Sequence, residues 1–71
     1  MSRLPTVSGQ QAVKALCRFG FQAKRRKGSH VVLQKNQIFL TVPLHPALKK
    51  GTLNAIIKQA GLTRKEFFDN L

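Results

Sequence analysis

The apolar residues of this sequence change period twice, and that change dictates the order of its elements. Ala12, Val13, Leu16 and Cys17 recur at the three-and-four spacing of one helical face. From Ile38 to Val42 the pattern becomes strict alternation, with Ile38, Leu40 and Val42 on one side and Phe39 and Thr41 on the other. Alternation is the period of a strand. Leu53, Ile56, Ile57 and Ala60 then return to helical spacing. A helix-period segment does not settle as a strand, nor the reverse. Two further runs lie between the first helix and Ile38. They are Phe21 to Lys27 and His30 to Lys35, set apart by the turn residues Gly28-Ser29 and Asn36. Three neighbouring runs with short turns read as an antiparallel meander. Pro43 and Pro46 close it, because proline has no N–H for the ladder.

The helix ends carry their own signals. Ser8-Gly9-Gln10-Gln11 is a capping box, in which the serine hydroxyl and the glutamine side chain each satisfy a free amide. Gly20 offers the left-handed position that stops a helix, which bounds the first one at about Gly9 to Phe19. Gly61 ends the second. Thr63 to Glu66 is another capping box, opening a short helix with Phe67, Phe68 and Leu71 on its apolar side. The fold class is therefore α+β, in the order α-β-β-β-α, with both helices on one face of a three-stranded antiparallel sheet. Val31, Leu33, Ile38, Leu40 and Val42 are expected on the core face. His30, Val32 and Gln34 are then expected on the opposite, open face. Phe39 reads either as an aromatic exposed beside His30, fit to stack on a base, or as a core residue.

At 71 residues the sequence has room for one domain, spanning 1–71. A domain of that size buries roughly 60% of the surface its unfolded chain exposes, so its core is thin. No staple is on offer. Cys17 is the only cysteine, and with His30 and His45 it lacks the paired spacing of a zinc site. Neither metal nor cofactor is expected. A lone cysteine in an apolar stripe fits a reducing compartment. The stretch from Met1 to Val7 is too short and polar for a signal peptide. No apolar run approaches a membrane span. The expected location is the cytoplasm.

Charge narrows the partners. There are 13 Lys and Arg against 2 acidic residues, a formal net charge of +11. Nucleic acid is the commonest polyanionic partner. A membrane binder would gather its basic residues on one amphipathic helix. Here they spread along the chain, with a peak at Lys24, Arg25, Arg26 and Lys27. The carboxylates, Glu66 and Asp69, stand together near the C-terminus. Two-metal nucleases hold their ions with clustered carboxylates, so any phosphoryl chemistry is expected to be metal-independent.

Several segments together resemble the HicA (YcfA-like) toxin family. They are Ala15 to Phe21, Gly28-Ser29-His30 after the basic run, Val42-Pro43-Leu44-His45-Pro46, Lys50-Gly51-Thr52-Leu53, and Ile56 to Leu62. The likeness runs from about Val7 to Phe68, with no departure in the Gly-Ser-His motif. It implies a fold similar to a double-stranded-RNA-binding domain. It also implies ribosome-independent cleavage of mRNA, with His30 as the residue whose loss disables the toxin. A cognate HicB-like antitoxin is the implied partner, and the free toxin is expected to be a monomer.

Each candidate has a plainer alternative. His30 is either an ordinary strand histidine or a proton-transfer group, since imidazole works as acid or base near neutral pH. His45 lies between prolines, where it either fixes a loop or complements His30. A lysine or water would serve as complement equally well. The basic run from Lys24 to Lys27 is a solvated face or a phosphate grip; alternation keeps all four from facing one ligand. Ser29 joins the RNA-contacting set from the turn. Lys49 and Lys50 stand at the start of the second helix, where free amides favour anions, or are simply solvated. Two functional readings result: a catalytic RNA-cleaving toxin, or a non-catalytic RNA-binding module of the same fold. Charge alone would also allow a DNA-binding accessory protein.

Overall fold

A computed structural model describes residues 6–71; residues 1–5 of the stretch that the sequence marks as too short and polar for a signal peptide lie outside the described residues. The elements are α1 (Gly9–Arg18), β1 (Gln22–Lys27), β2 (His30–Lys35), β3 (Ile38–Pro43), α2 (Lys50–Gln59) and α3 (Arg64–Asp69). Both capping boxes form. The Gln11 amide donates to Ser8 Oγ at 3.1 Å, and the Ser8 amide to Gln11 Oε1 at 2.9 Å. At α3 the Glu66 amide donates to Thr63 Oγ1 at 3.0 Å, and the Thr63 amide to Glu66 Oε1 at 2.8 Å. Helix α1 ends one residue earlier than the periodicity predicts, with Phe19 as its cap and Gly20 at φ 98.

The sheet is antiparallel with order β1-β2-β3. Two-residue turns join its strands. Gly28 takes φ 59 in the first turn, and a single positive φ at the first central residue is the type II′ pattern. Asn36 takes φ 55 in the second. Helices α1 and α2 both lie against β3, and α3 packs on α2. Val31, Leu33, Leu40 and Val42 are buried beneath the helices with Ala12, Ala15, Leu16, Leu53, Ile56, Ile57 and Phe67. The helices thus cover one sheet face and leave the other open, the α-β-β-β-α arrangement the sequence predicts. Among the described residues no helix is long and apolar enough to cross a membrane.

Four side chains depart from expectation, each for a geometric reason. Cys17 is exposed. The buried stripe of α1 is Gly9, Ala12, Ala15 and Leu16, and Cys17 sits one position round the helix from Leu16. Ile38 shares the parity of Leu40 but is 38% exposed. It pairs with Lys35 at the tip of the second hairpin, beyond the helices' cover. Leu71 is 45% exposed, one residue past the cap of α3. Phe39 is exposed at 62%, but not beside His30. It pairs with Gln34, four residues further along β2, which is about 13 Å at strand rise.

Gly9 has a structural role that its place in the capping box does not explain. A Cβ there would come within 2.1 Å of the Pro43 carbonyl oxygen and 2.7 Å of Leu44 Cα. Both obstacles are backbone and cannot rotate away. The Gly9→Ala variant should therefore lose stability by roughly 1–3 kcal/mol, the usual cost of forcing atoms into a packed interior. Urea denaturation of the two proteins measures the difference. An unchanged midpoint would mean that α1 and the Pro43-Leu44 segment are not in close contact.

Candidate active site on the open sheet face

Cross-strand pairing arranges the open face in three rungs. Lys27, His30 and Pro43 form the first; Arg25, Val32 and Thr41 the second; Gln22, Gln34 and Phe39 the third. The basic strand reaches this register through a β-bulge. Ala23 pairs with Leu33 and Arg25 with Val32, which leaves Lys24 as the extra residue. Regular alternation from Ala23 would have put Arg25 on the core face. The bulge instead turns Arg25 and Lys27 toward the face that carries His30. Arg26 pairs with Val31, on the helix side. Its Nε donates to the Gly28 carbonyl at 3.1 Å, bracing the turn just before His30. All four basic residues are exposed, as are Ser29 and His30.

His30 opens β2 directly after the Gly28-Ser29 turn. The loop after β3 brings His45 to it: the two imidazole centroids lie 6.4 Å apart with the rings at 72°. Three backbone hydrogen bonds hold that loop. The Leu44 amide donates to the Ser29 carbonyl, the Gly9 amide to the His45 carbonyl at 2.9 Å, and the Leu48 amide to the Val7 carbonyl at 2.8 Å. The expected loop-fixing bond at His45 thus belongs to its carbonyl, and its imidazole remains exposed. The sequence signal for that pairing was the Val42-Pro43-Leu44-His45-Pro46 motif, which does not say where its imidazole goes.

The remaining candidates lie further off. Lys49 caps α2 without a side-chain hydrogen bond, and no acidic residue stands in the helix's first turn. The amides of Lys50, Gly51 and Thr52 therefore have no intrahelical acceptor. Both carboxylates are on α3, across the sheet from His30. Glu66 accepts from the Thr63 amide, and Asp69 pairs with Lys65 at 2.8 Å. That hydrogen bond and charge raise the Lys65 ammonium above its ordinary value. Among the described residues, no three of His, Cys, Asp and Glu come together to form a metal-holding group. Sequence reasoning did not single out Thr41, which sits between Arg25's rung-mate Val32 and the sheet edge, or Gln10 and Lys14, which line a groove between α1 and β1.

A family model described as the HicA toxin of bacterial toxin-antitoxin matches residues 9–62, from the first residue of α1 to just past α2. The chain belongs to the HicA toxin family. No curated protein matches it closely enough to serve as a relative. The HicA match takes in all three strands, the Gly-Ser-His turn, His45 and the start of α2. As a HicA member the chain is the toxin of a toxin–antitoxin pair, with an antitoxin for a partner.

Proposed function

We propose that this toxin is an endoribonuclease that cleaves mRNA in the cytoplasm, independently of ribosomes and of any metal ion, with His30 transferring a proton in the reaction. The observation that carries the reading is an exposed imidazole at the first position of β2, with Lys27 and Arg25 on the same face. RNA brings its own nucleophile, the 2′-hydroxyl. A protein need only move that proton, supply one to the leaving oxygen and stabilise the charge that develops. His30 supplies acid–base capacity, and the two cations supply phosphate attraction. Ser29, Lys24, Arg26, Lys49 and Lys50 extend the contacts to the RNA backbone. The toxin acts as a monomer until a HicB-like antitoxin covers His30 and the basic strand, presenting acidic groups to them.

The test is cleavage of purified, ribosome-free mRNA. Cleavage should persist in excess EDTA, because the two carboxylates are engaged on α3. Loss of activity that magnesium restores would remove the metal-free mechanism, and absence of any cleavage would remove the endoribonuclease reading. In the antitoxin complex, His30 should resist an imidazole-modifying reagent that reaches it in the free toxin. An inactive complex in which His30 still reacts would count against occlusion.

A further inference from the structure

From the placement of the two imidazoles, we propose that His45 is the second proton-transfer group of this site, working opposite His30 across one phosphodiester. The inference rests on the endoribonuclease reading and supplies what one histidine lacks. Transesterification needs a base for the 2′-hydroxyl and an acid for the departing 5′-oxygen at the same time, and one imidazole serves one of them at a time.

The geometry suits that division. A direct N–H···N bond needs ring nitrogens within about 3 Å, which rings with centroids 6.4 Å apart do not reach. Neither imidazole is occupied by the other. Two rings at that separation can each hydrogen-bond a different oxygen of one phosphate. Both rings are exposed, so a substrate can enter between them. Their spacing is held by backbone rather than by the side chains: the Ser29 carbonyl, one residue before His30, takes the amide of Leu44, one residue before His45. The Gly9 amide on the His45 carbonyl fixes the other side of the loop.

Among the described residues, the charged groups facing the pair are few. Strand β1 presents Lys27 beside His30 and Arg25 one rung on, while β3 presents Pro43 and Thr41, which carry no charge. Glu66 and Asp69 lie on the helix side, so no carboxylate competes for the protons. The 2′-oxygen bonds to phosphorus as its proton passes to one imidazole. The bond from phosphorus to the 5′-oxygen breaks as that oxygen takes a proton from the other ring, which enters as imidazolium. The products are a 2′,3′-cyclic phosphate and a 5′-hydroxyl, and exchange with water resets both rings.

The experiment is single-turnover cleavage of one RNA by wild type, His45→Gln and His30→Ala across a pH range, with anisotropy titrations for affinity. Wild type should show a bell-shaped profile with one limb from each histidine. His45→Gln should cleave about 10²–10⁴ times more slowly, lose one limb, and bind RNA as wild type does. A second substrate carries sulfur in place of the 5′-bridging oxygen, a leaving group that needs no proton. It should restore the rate of whichever variant lacks the acid and not of the other. A His45→Gln enzyme that keeps the wild-type rate, or keeps both limbs and loses only affinity, overturns the inference and leaves His30 as the catalytic residue. If neither variant slows cleavage, the endoribonuclease assignment to this face fails with it.

Discussion

Replacing His30 by alanine should slow cleavage of bound RNA by about 10²–10⁴, the weight that general acid–base catalysis carries, while leaving RNA affinity nearly unchanged. On the proposed reading, affinity would be spread over many phosphate contacts from a chain with 13 Lys and Arg. Removing one exposed imidazole subtracts little from that sum. The fold should tolerate the change, because His30 is exposed and surface substitutions usually stay within about 0.5 kcal/mol. Single-turnover cleavage, an anisotropy titration and a thermal melt separate three outcomes. Slow chemistry with intact binding is the expected one. Cleavage near the wild-type rate would hand the site to the non-catalytic RNA-binding reading. An unfolded variant would make His30 a structural residue.

The complementary experiment removes the cations and keeps the imidazole. Replacing Arg25 and Lys27 together by glutamine should weaken RNA binding roughly tenfold or more near 0.1 M salt, because two phosphate contacts and their released counterions are lost. The slope of log affinity against log salt should become shallower by about 1.4, at about 0.7 for each single-strand contact. The rate of bound RNA should change less than the affinity. Arg26→Gln is the informative control. Arg26 lies on the helix side of β1 and braces the turn through the Gly28 carbonyl, so its loss should move the salt slope less than the pair does. A salt slope reduced as much by Arg26→Gln as by the double variant would route the RNA along the groove between α1 and β1, which Lys24, Arg25 and Arg26 line.

The difference between those neighbours shows where sequence reading ran out. From Lys24, Arg25, Arg26 and Lys27 as written, alternation says only that the four divide between two faces. Which pair joins His30 depends on the bulge at Lys24, and a bulge is a property of the pairing between two strands. The same holds for Phe39. Its parity puts it on the open face, as the alternation from Ile38 implies, but its distance from His30 follows from the antiparallel register. Cys17 and Ile38 are exposed although both fall on apolar periods, because periodicity reports the direction of a side chain and not the extent of the surface packed against it. Cys17 lies on α1 just outside the stripe that meets the sheet, and Ile38 lies at the hairpin tip beyond the helices.

By itself, the sequence determined the elements and the kind of site. Two capping boxes, glycines after two helices, turn residues and the change of period set α-β-β-β-α, because each acts over a few residues of chain. The Gly28-Ser29-His30 entry to β2 and the charge of +11 pointed to the site and the class of partner proposed for it. Tertiary structure alone decided the partnership at that site. His30 and His45 are 15 residues apart in the chain, and nothing local to either makes them neighbours. The sheet register sets Pro43 beside His30, and the bonds from Ser29 and Gly9 then fold the following loop back onto the same edge. Contacts across such distances come from packing the sheet against α1, whose glycine lets the two backbones approach.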